Sequence, residues 1–162
     1  MIDFVKIPEE RLKIFRNYVD KLEKLLGCKI KINEEISIEA ENSLLLMRIK
    51  EVVNAFGRGF DLDVALNLLD EEYCLETINL QQILGKSRKR MIVVKGRVIG
   101  REGKAKKLIE KYTNVKIAIY GKTVSMIGKW DEVQKARRAI ESLIQGRKHS
   151  TVFKALIEGR YG

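Results

Sequence analysis

The sequence predicts an α+β protein of two tandem modules. Each has the order β-α-α-β-β-α, with helices packed on one face of a three-stranded antiparallel sheet. Three observations lead there. At 162 residues the chain can hold one medium core or two small ones. Laid over itself at an offset of about 87 residues, it repeats weakly. Leu22-Glu23-Lys24-Leu25-Leu26-Gly27-Cys28-Lys29-Ile30-Lys31-Ile32 sits over Ile109-Glu110-Lys111-Tyr112-Thr113-Asn114-Val115-Lys116-Ile117-Ala118-Ile119, while Val53, Phe56 and Gly59 fall on Ile140, Leu143 and Gly146. Apolar residues also alternate over short stretches and recur at three- and four-residue steps over longer ones, the periods of strands and helices.

Each element follows in order. In the first copy, residues 1–60, a strand is expected near Phe4–Ile7 and a helix from Glu9 to Leu26. Strands follow at Lys29–Ile32 and Glu35–Ile38, then a helix from Leu44 to Phe56 with Ser43 as its cap. Residues 61–90 read as a connector: a helix from Asp61 to Leu69, an undecided stretch from Tyr73 to Leu84, and a basic linker, Gly85-Lys86-Ser87-Arg88-Lys89-Arg90. The second copy, 91–146, opens on the apolar run Met91-Ile92-Val93-Val94 as a strand, and Gly96 to Ile99 make a brief helical turn. Lys104 to Tyr112 is a helix with Ala105, Leu108, Ile109 and Tyr112 on one face, stopped by Thr113-Asn114. Val115, Ile117 and Ile119 alternate as a strand, Gly121-Lys122 turns, and Thr123 to Ile127 returns. Asp131 to Gln145 is an amphipathic helix with Val133, Ala136, Ile140, Leu143 and Ile144 inward, ended by Gly146. The tail, 147–162, holds a short helix from Thr151 to Glu158 that docks Val152, Phe153, Leu156 and Ile157.

Charge divides the chain. Residues 1–80 carry 11 Lys/Arg against 16 Asp/Glu, a net of −5; residues 81–162 carry 21 against 6, a net of +15. The second half is built to attract a polyanion and the first is not. No apolar run approaches the length of a bilayer span, and Asp3 and Lys6 interrupt any secretory signal, so the expected compartment is the cytoplasm. Cys28, Cys74 and His149 have no metal-ligand spacing and form no nucleophile pair, and no two carboxylates form an acid–base motif. Neither an enzyme nor a cofactor is expected.

The specific chemistry lies in Val98-Ile99-Gly100-Arg101-Glu102-Gly103, which opens the basic helix Lys104-Ala105-Lys106-Lys107-Leu108-Ile109-Glu110-Lys111. This is the layout of a type I KH module, in which a Gly-x-x-Gly turn enters a helix and single-stranded RNA of about four nucleotides lies against it. Gly100 and Gly103 admit close approach of a phosphodiester, and the helix start adds N–H groups and partial positive charge. Arg101, Lys104, Lys107 and Lys122 are placed to neutralise phosphates, with Glu102 inside the turn. Ile99, Ile117 and Ile119, together with Ile109, are candidates for an apolar floor under the bases. A P-loop is excluded: its first glycine falls on Val98, and Ala105 stands where Ser or Thr must hold magnesium. The first copy has Lys13-Ile14-Phe15-Arg16 under the glycine turn, so it is a degenerate KH-like module without that loop. With Glu34, Glu35, Glu39 and Glu41 it is expected to repel phosphate, pack on the second copy and meet protein.

Three stretches carry a more specific likeness: Asn54-Ala55-Phe56-Gly57-Arg58-Gly59-Phe60 with Ala65-Leu66-Asn67-Leu68-Leu69-Asp70; Lys95-Gly96-Arg97-Val98-Ile99-Gly100-Arg101-Glu102-Gly103-Lys104; and Tyr120-Gly121-Lys122-Thr123-Val124. Across nearly its whole length the chain resembles the archaeal and eukaryotic ribosome-assembly family of partner-of-Nob, or Dim2-type, KH proteins. The resemblance implies binding of the small-subunit ribosomal RNA precursor near its 3′ end, work on the pre-small subunit, and association with the Nob-type endonuclease that cuts there. Two departures stand out. Lys106 occupies a position where a general KH helix is apolar, which implies a shallower groove, and the first module is short around its loop. The residues by themselves also fit a general KH-type RNA regulator or a subunit of an RNA-degrading complex.

Overall fold

The computed structural model describes residues 1–161, and the chain divides after Glu71 into two compact units. The first unit runs β1 (Ile2–Val5), α1 (Glu9–Phe15), a 3-10 turn (Arg16–Tyr18), α2 (Val19–Leu26), β2 (Lys29–Ile32), β3 (Ile36–Glu39), α3 (Ser43–Gly57), α4 (Leu62–Ala65) and a second 3-10 turn (Leu66–Leu69). Its sheet is antiparallel in the order β1-β3-β2, with Val5 opposite Ile36 and Ile30 opposite Ile38. Phe15, Leu22, Ile36, Ile38, Ile49, Phe56 and Leu68 are fully buried in this unit. The expected helix over residues 9–26 is two helices, parted by the 3-10 turn. Asn42, not Ser43, caps α3: its Oδ1 accepts the Leu45 N–H at 2.8 Å.

The second unit runs β4 (Tyr73–Asn79), α5 (Leu80–Leu84), α6 (Arg88–Ile99), a 3-10 turn (Arg101–Gly103), α7 (Lys104–Thr113), β5 (Lys116–Tyr120), β6 (Thr123–Lys129), α8 (Trp130–Ile144) and α9 (His149–Ile157). Its sheet is antiparallel in the order β4-β6-β5, with Ile78 opposite Val124 and Ile117 opposite Met126. The core gathers Leu80, Val98, Ile109, Ile117, Met126, Val133, Ile140, Leu143 and Val152.

Two expectations about this unit are corrected. Met91-Ile92-Val93-Val94 is not a strand but lies inside α6, which Ser87 caps by accepting the Arg90 N–H on Oγ. Burial in that stretch has a helical period: Val94 and Val98 are buried, while Ile92 and Val93 are 71% and 61% exposed. The first strand is instead Tyr73–Asn79, and Asn79 Oδ1 then caps α5 by accepting the Gln81 and Gln82 N–H groups. The stretch 61–90 is therefore not a connector: residues 61–71 belong to the first unit, and 72–90 begin the second. In the tail, Val152 and Leu156 dock as expected, whereas Ile157 is 58% exposed.

The repeat is written in hydrogen bonds as well as letters. In the first unit the Glu23 carboxylate accepts the Ile30 N–H at 2.9 Å, and in the second Glu110 accepts the Ile117 N–H at 2.9 Å. Gly27 and Asn114 end the second helix of each unit in the left-handed region, at φ 61° and 59°. Arg11 donates from Nε to the Phe56 carbonyl and from Nη2 to the Phe60 carbonyl, at 2.8 and 2.7 Å, and its guanidinium stacks on the Phe56 ring. Arg97 makes the same fork to the carbonyls of Leu143 and Arg147. Each fork fastens the end of the unit's long helix, where carbonyls lack helical partners. Arg97→Ala is accordingly expected to destabilise the second unit by about 2 kcal/mol, read by chemical denaturation, because it removes two charge-assisted bonds. Arg97→Lys should recover only part of that loss, since an ammonium cannot reproduce the fork.

Candidate nucleic-acid interface

The glycine turn joins two helices with almost no backbone in ordinary conformations. Gly100 ends α6 at φ 76°, ψ 172°, and its N–H closes that helix on the Gly96 carbonyl at 2.8 Å. Glu102 is left-handed at φ 57°, ψ 26°, and Gly103 at φ 76°, ψ 11° precedes α7. Three of the four residues from 100 to 103 thus have positive φ. A side chain at 102 held in that region is an uncommon, costly arrangement of the kind that gathers at functional turns.

The two glycines are required for different reasons. A Cβ on Gly100 would meet the Cβ and N of Ala105 at 2.6 Å, so this glycine lets the start of α7 close against the end of α6. A Cβ on Gly103 would find nothing nearer than Lys107 Cε at 3.7 Å. Its glycine serves the backbone angle and leaves the outer surface bare.

Around the turn, Arg101, Glu102, Lys104 and Lys107 are exposed and line one depression with Leu108, Lys111 and Tyr112, of about 580 Å³. Cations crowd the start of α7, with no acidic residue in its first turn, whereas α8 begins with Asp131 and Glu132. Positive side chains at the positive end of a helix repel one another and the dipole, and an anion bound there relieves both. From Glu72 onward the chain carries 21 Lys/Arg against 8 Asp/Glu.

The structure brings together most of the expected set and buries two of its members. Gly100, Arg101, Glu102, Gly103, Lys104 and Lys107 form one contiguous surface, with Ile99 half-buried where α6 ends. Ile119 is half-buried near the end of β5, and Lys122 is exposed on the turn that follows. Ile117 is 3% exposed inside the core, and Ile109 is fully buried, so neither can touch a base. Alternation placed Ile117 and Ile119 on one face of β5; the α-helical layer covers that face at Ile117. The sequence reading missed Lys95. Its Nζ donates to the Gly121 carbonyl at 2.8 Å and ties α6 to the β5–β6 turn, next to Lys122. Once 88–99 is read as a helix, Ile92, Lys95 and Ile99 share a face at three- and four-residue steps, the signal that would have found it. Among the described residues no group of His, Cys, Asp or Glu is arranged to hold a metal ion, and no helix is long and apolar enough to cross a membrane.

A profile for the second KH domain of PNO1 proteins, described as eukaryotic type KH-domain (KH-domain type I), matches residues 74–160, more than half of the chain. The match begins in β4, not at residue 91. A KH domain-containing protein of Methanocaldococcus jannaschii is 33% identical over 96% of this chain and 72% of its own length.

The chain belongs to the Pno1/Dim2-type KH-domain family.

Within this Pno1/Dim2 family, the pre-rRNA-processing protein PNO1 of Chaetomium thermophilum is 28% identical over 94% of this chain, which spans 63% of that protein's length. The solved structure of Dim2p from Pyrococcus horikoshii is 33% identical, with a TM-score of 0.87 over 98% of this chain and 99% of that one. A second solved structure from that organism, of an a/eIF2alpha–aDim2p–rRNA complex, is 34% identical with a TM-score of 0.88, covering 99% of this chain and 94% of that one. These likenesses establish two α+β KH-like units in tandem for this member of the Pno1/Dim2 family.

Proposed function

We propose that this protein is an RNA-binding ribosome-assembly factor. Its second unit holds single-stranded precursor rRNA from the 3′ region of the small subunit, and the protein assists 3′-end processing by a Nob-type endonuclease in the cytoplasm. The observation that carries the reading is the turn 100–103: bare main chain at positive φ, flanked by Arg101, Lys104 and Lys107 at the start of a helix. A phosphodiester fits such a surface because it brings the charge that the cations lack and needs close backbone approach. The PNO1 relatives named for pre-rRNA processing, and the Dim2p solved with rRNA, support the choice of RNA. In the first unit the corresponding stretch is filled by the fully buried Phe15, with no residue at positive φ from Glu9 to Leu26. That unit is assigned to protein contact rather than to phosphate.

The test is a titration of the full chain with single-stranded RNA from the small-subunit 3′ end and with a shuffled strand of equal length, followed by co-purification with the endonuclease. The 3′-end strand should bind more tightly. If three phosphates are neutralised, the logarithmic salt slope should lie near about −2, from the single-strand coefficient. A slope near zero, or equal affinity for both strands, contradicts the assignment.

A further inference from the structure

The tail helix α9 meets α6 beside the glycine turn, and the polar contact between them is made by His149, the chain's single histidine. Its Nε2 lies 2.8 Å from the Arg97 carbonyl oxygen. A carbonyl can only accept, so the ring donates from Nε2. We propose that His149 is a positioning residue for RNA binding: it caps the end of α6 and so sets the direction in which the turn 100–103 offers its backbone. The inference rests on the RNA reading above and extends it to a side chain outside the turn.

Three observations carry it. The first is that α6 ends with a carbonyl in want of a donor. Gly100, at φ 76° and ψ 172°, leaves the helical path, and its own N–H goes back to the Gly96 carbonyl. Among the described residues no backbone N–H reaches the Arg97 carbonyl, one of those that a helix end leaves open. His149 supplies the donor three residues before Gly100. The second observation is that this donor is firmly held. Val152 and Leu156 sink one face of α9 into the core of the second unit, and the half-buried His149 ring stands edge-on to Phe153 at 5.7 Å between centroids. His149 and Phe153 line a hollow of about 380 Å³ together with Gly100 and Arg101, so both rings of the tail stand beside the turn itself.

The third observation comes from comparing the two units. At the offset of about 87 residues α9 falls on α4, with Val152 on Ala65, both fully buried, and His149 on Leu62. The first unit keeps the arginine fork through Arg11, so the fork belongs to the shared fold. The histidine does not. Arg11 is followed four residues on by Phe15 in the same helix, the ordinary partner for its carbonyl, and no glycine turn comes after it. A capping donor has no task there, and the buried Leu62 takes the place. Of the two units, only the one whose helix stops at a glycine turn carries the donor. If losing the cap leaves the turn correctly aimed about a tenth of the time, apparent affinity falls about tenfold, since the intrinsic constant is divided by the competent fraction.

The experiment measures binding of the full chain to single-stranded RNA of about four nucleotides, together with amide hydrogen exchange in the free protein. His149→Leu installs the first unit's residue, and His149→Asn is too short to reach the carbonyl. Each should bind about tenfold more weakly at a temperature where melting curves show it folded. His149→Gln can place an amide N–H where Nε2 stands, and should bind within about threefold of wild type. The Gly100 amide should exchange about tenfold faster in the Leu and Asn variants, while the Ile117 amide, bonded to Glu110 in the same unit, keeps its wild-type rate. A Gln variant as weak as the other two, or equal acceleration at Gly100 and Ile117, overturns the positioning role. If wild type does not bind the strand, the RNA reading falls and takes the role with it; if wild type binds and the Leu and Asn variants match it, the positioning role alone falls.

Discussion

Replacing Arg101 and Glu102 together by Asp should weaken single-stranded RNA binding by at least about 100-fold, about 2.8 kcal/mol, while leaving the second unit folded. Both side chains are exposed, and neither takes part in the core, so the stability of the unit does not depend on them. Asp at 102 also suits the left-handed backbone there better than most residues do. The binding loss has two sources. Arg101 gives up a charge-assisted bond to phosphate, worth roughly 1.5–3 kcal/mol. The new carboxylate at 101 then faces the phosphate it should attract, beside a second carboxylate at 102. Fluorescence anisotropy measures the loss, and circular dichroism with a melting curve verifies that the fold is intact. Affinity within about threefold of wild type would remove the turn from the binding surface.

The two glycines of the turn should respond unequally to the same small change. Gly100→Ala is expected to destabilise the second unit by about 3 kcal/mol, from a Cβ driven against Ala105 and from a φ/ψ pair that only glycine occupies readily. Gly103→Ala has open space for its methyl group and suffers only the left-handed backbone penalty, about 1 kcal/mol. Gly103→Ala should therefore leave a folded protein in which the added methyl group stands on the surface that a phosphodiester would approach, weakening binding directly. Gly100→Ala should weaken binding only through misfolding of the turn. Denaturation curves of the two variants, followed by titration of whichever remains folded, separate these effects. Equal stability losses would mean that the close approach of α7 to Gly100 is not what the first glycine secures.

The sequence was most legible where several local signals agreed. Lys104 to Gly146 combined a periodic helix, a stop at Thr113-Asn114, an alternating strand, a two-residue turn and a second periodic helix, and all five are present, the stop being a left-handed Asn114. The offset repeat was also sound, since the Glu23/Glu110 and Arg11/Arg97 pairs do the same work in both units. The strand at Tyr73–Asn79 was obscured because Leu75 and Glu76 are both half-buried, so polarity does not alternate cleanly. Helix α6 was obscured by four consecutive apolar residues and a basic start that contradicts the helix dipole. Of the site, the charged turn could be read from spacing alone. Ile117 could not, because alternation tells which residues share a face but not whether helices cover it. Lys95 was missed with the helix that carries it.

The most direct test follows backbone amide signals of the isotope-labelled full chain while single-stranded RNA is added. The protein described here predicts that the largest shifts fall on Gly100 to Lys104 and on Lys107, with those of the first unit nearly still. Shifts concentrated in residues 1–71, with the turn at 100–103 unmoved at saturation, would contradict it.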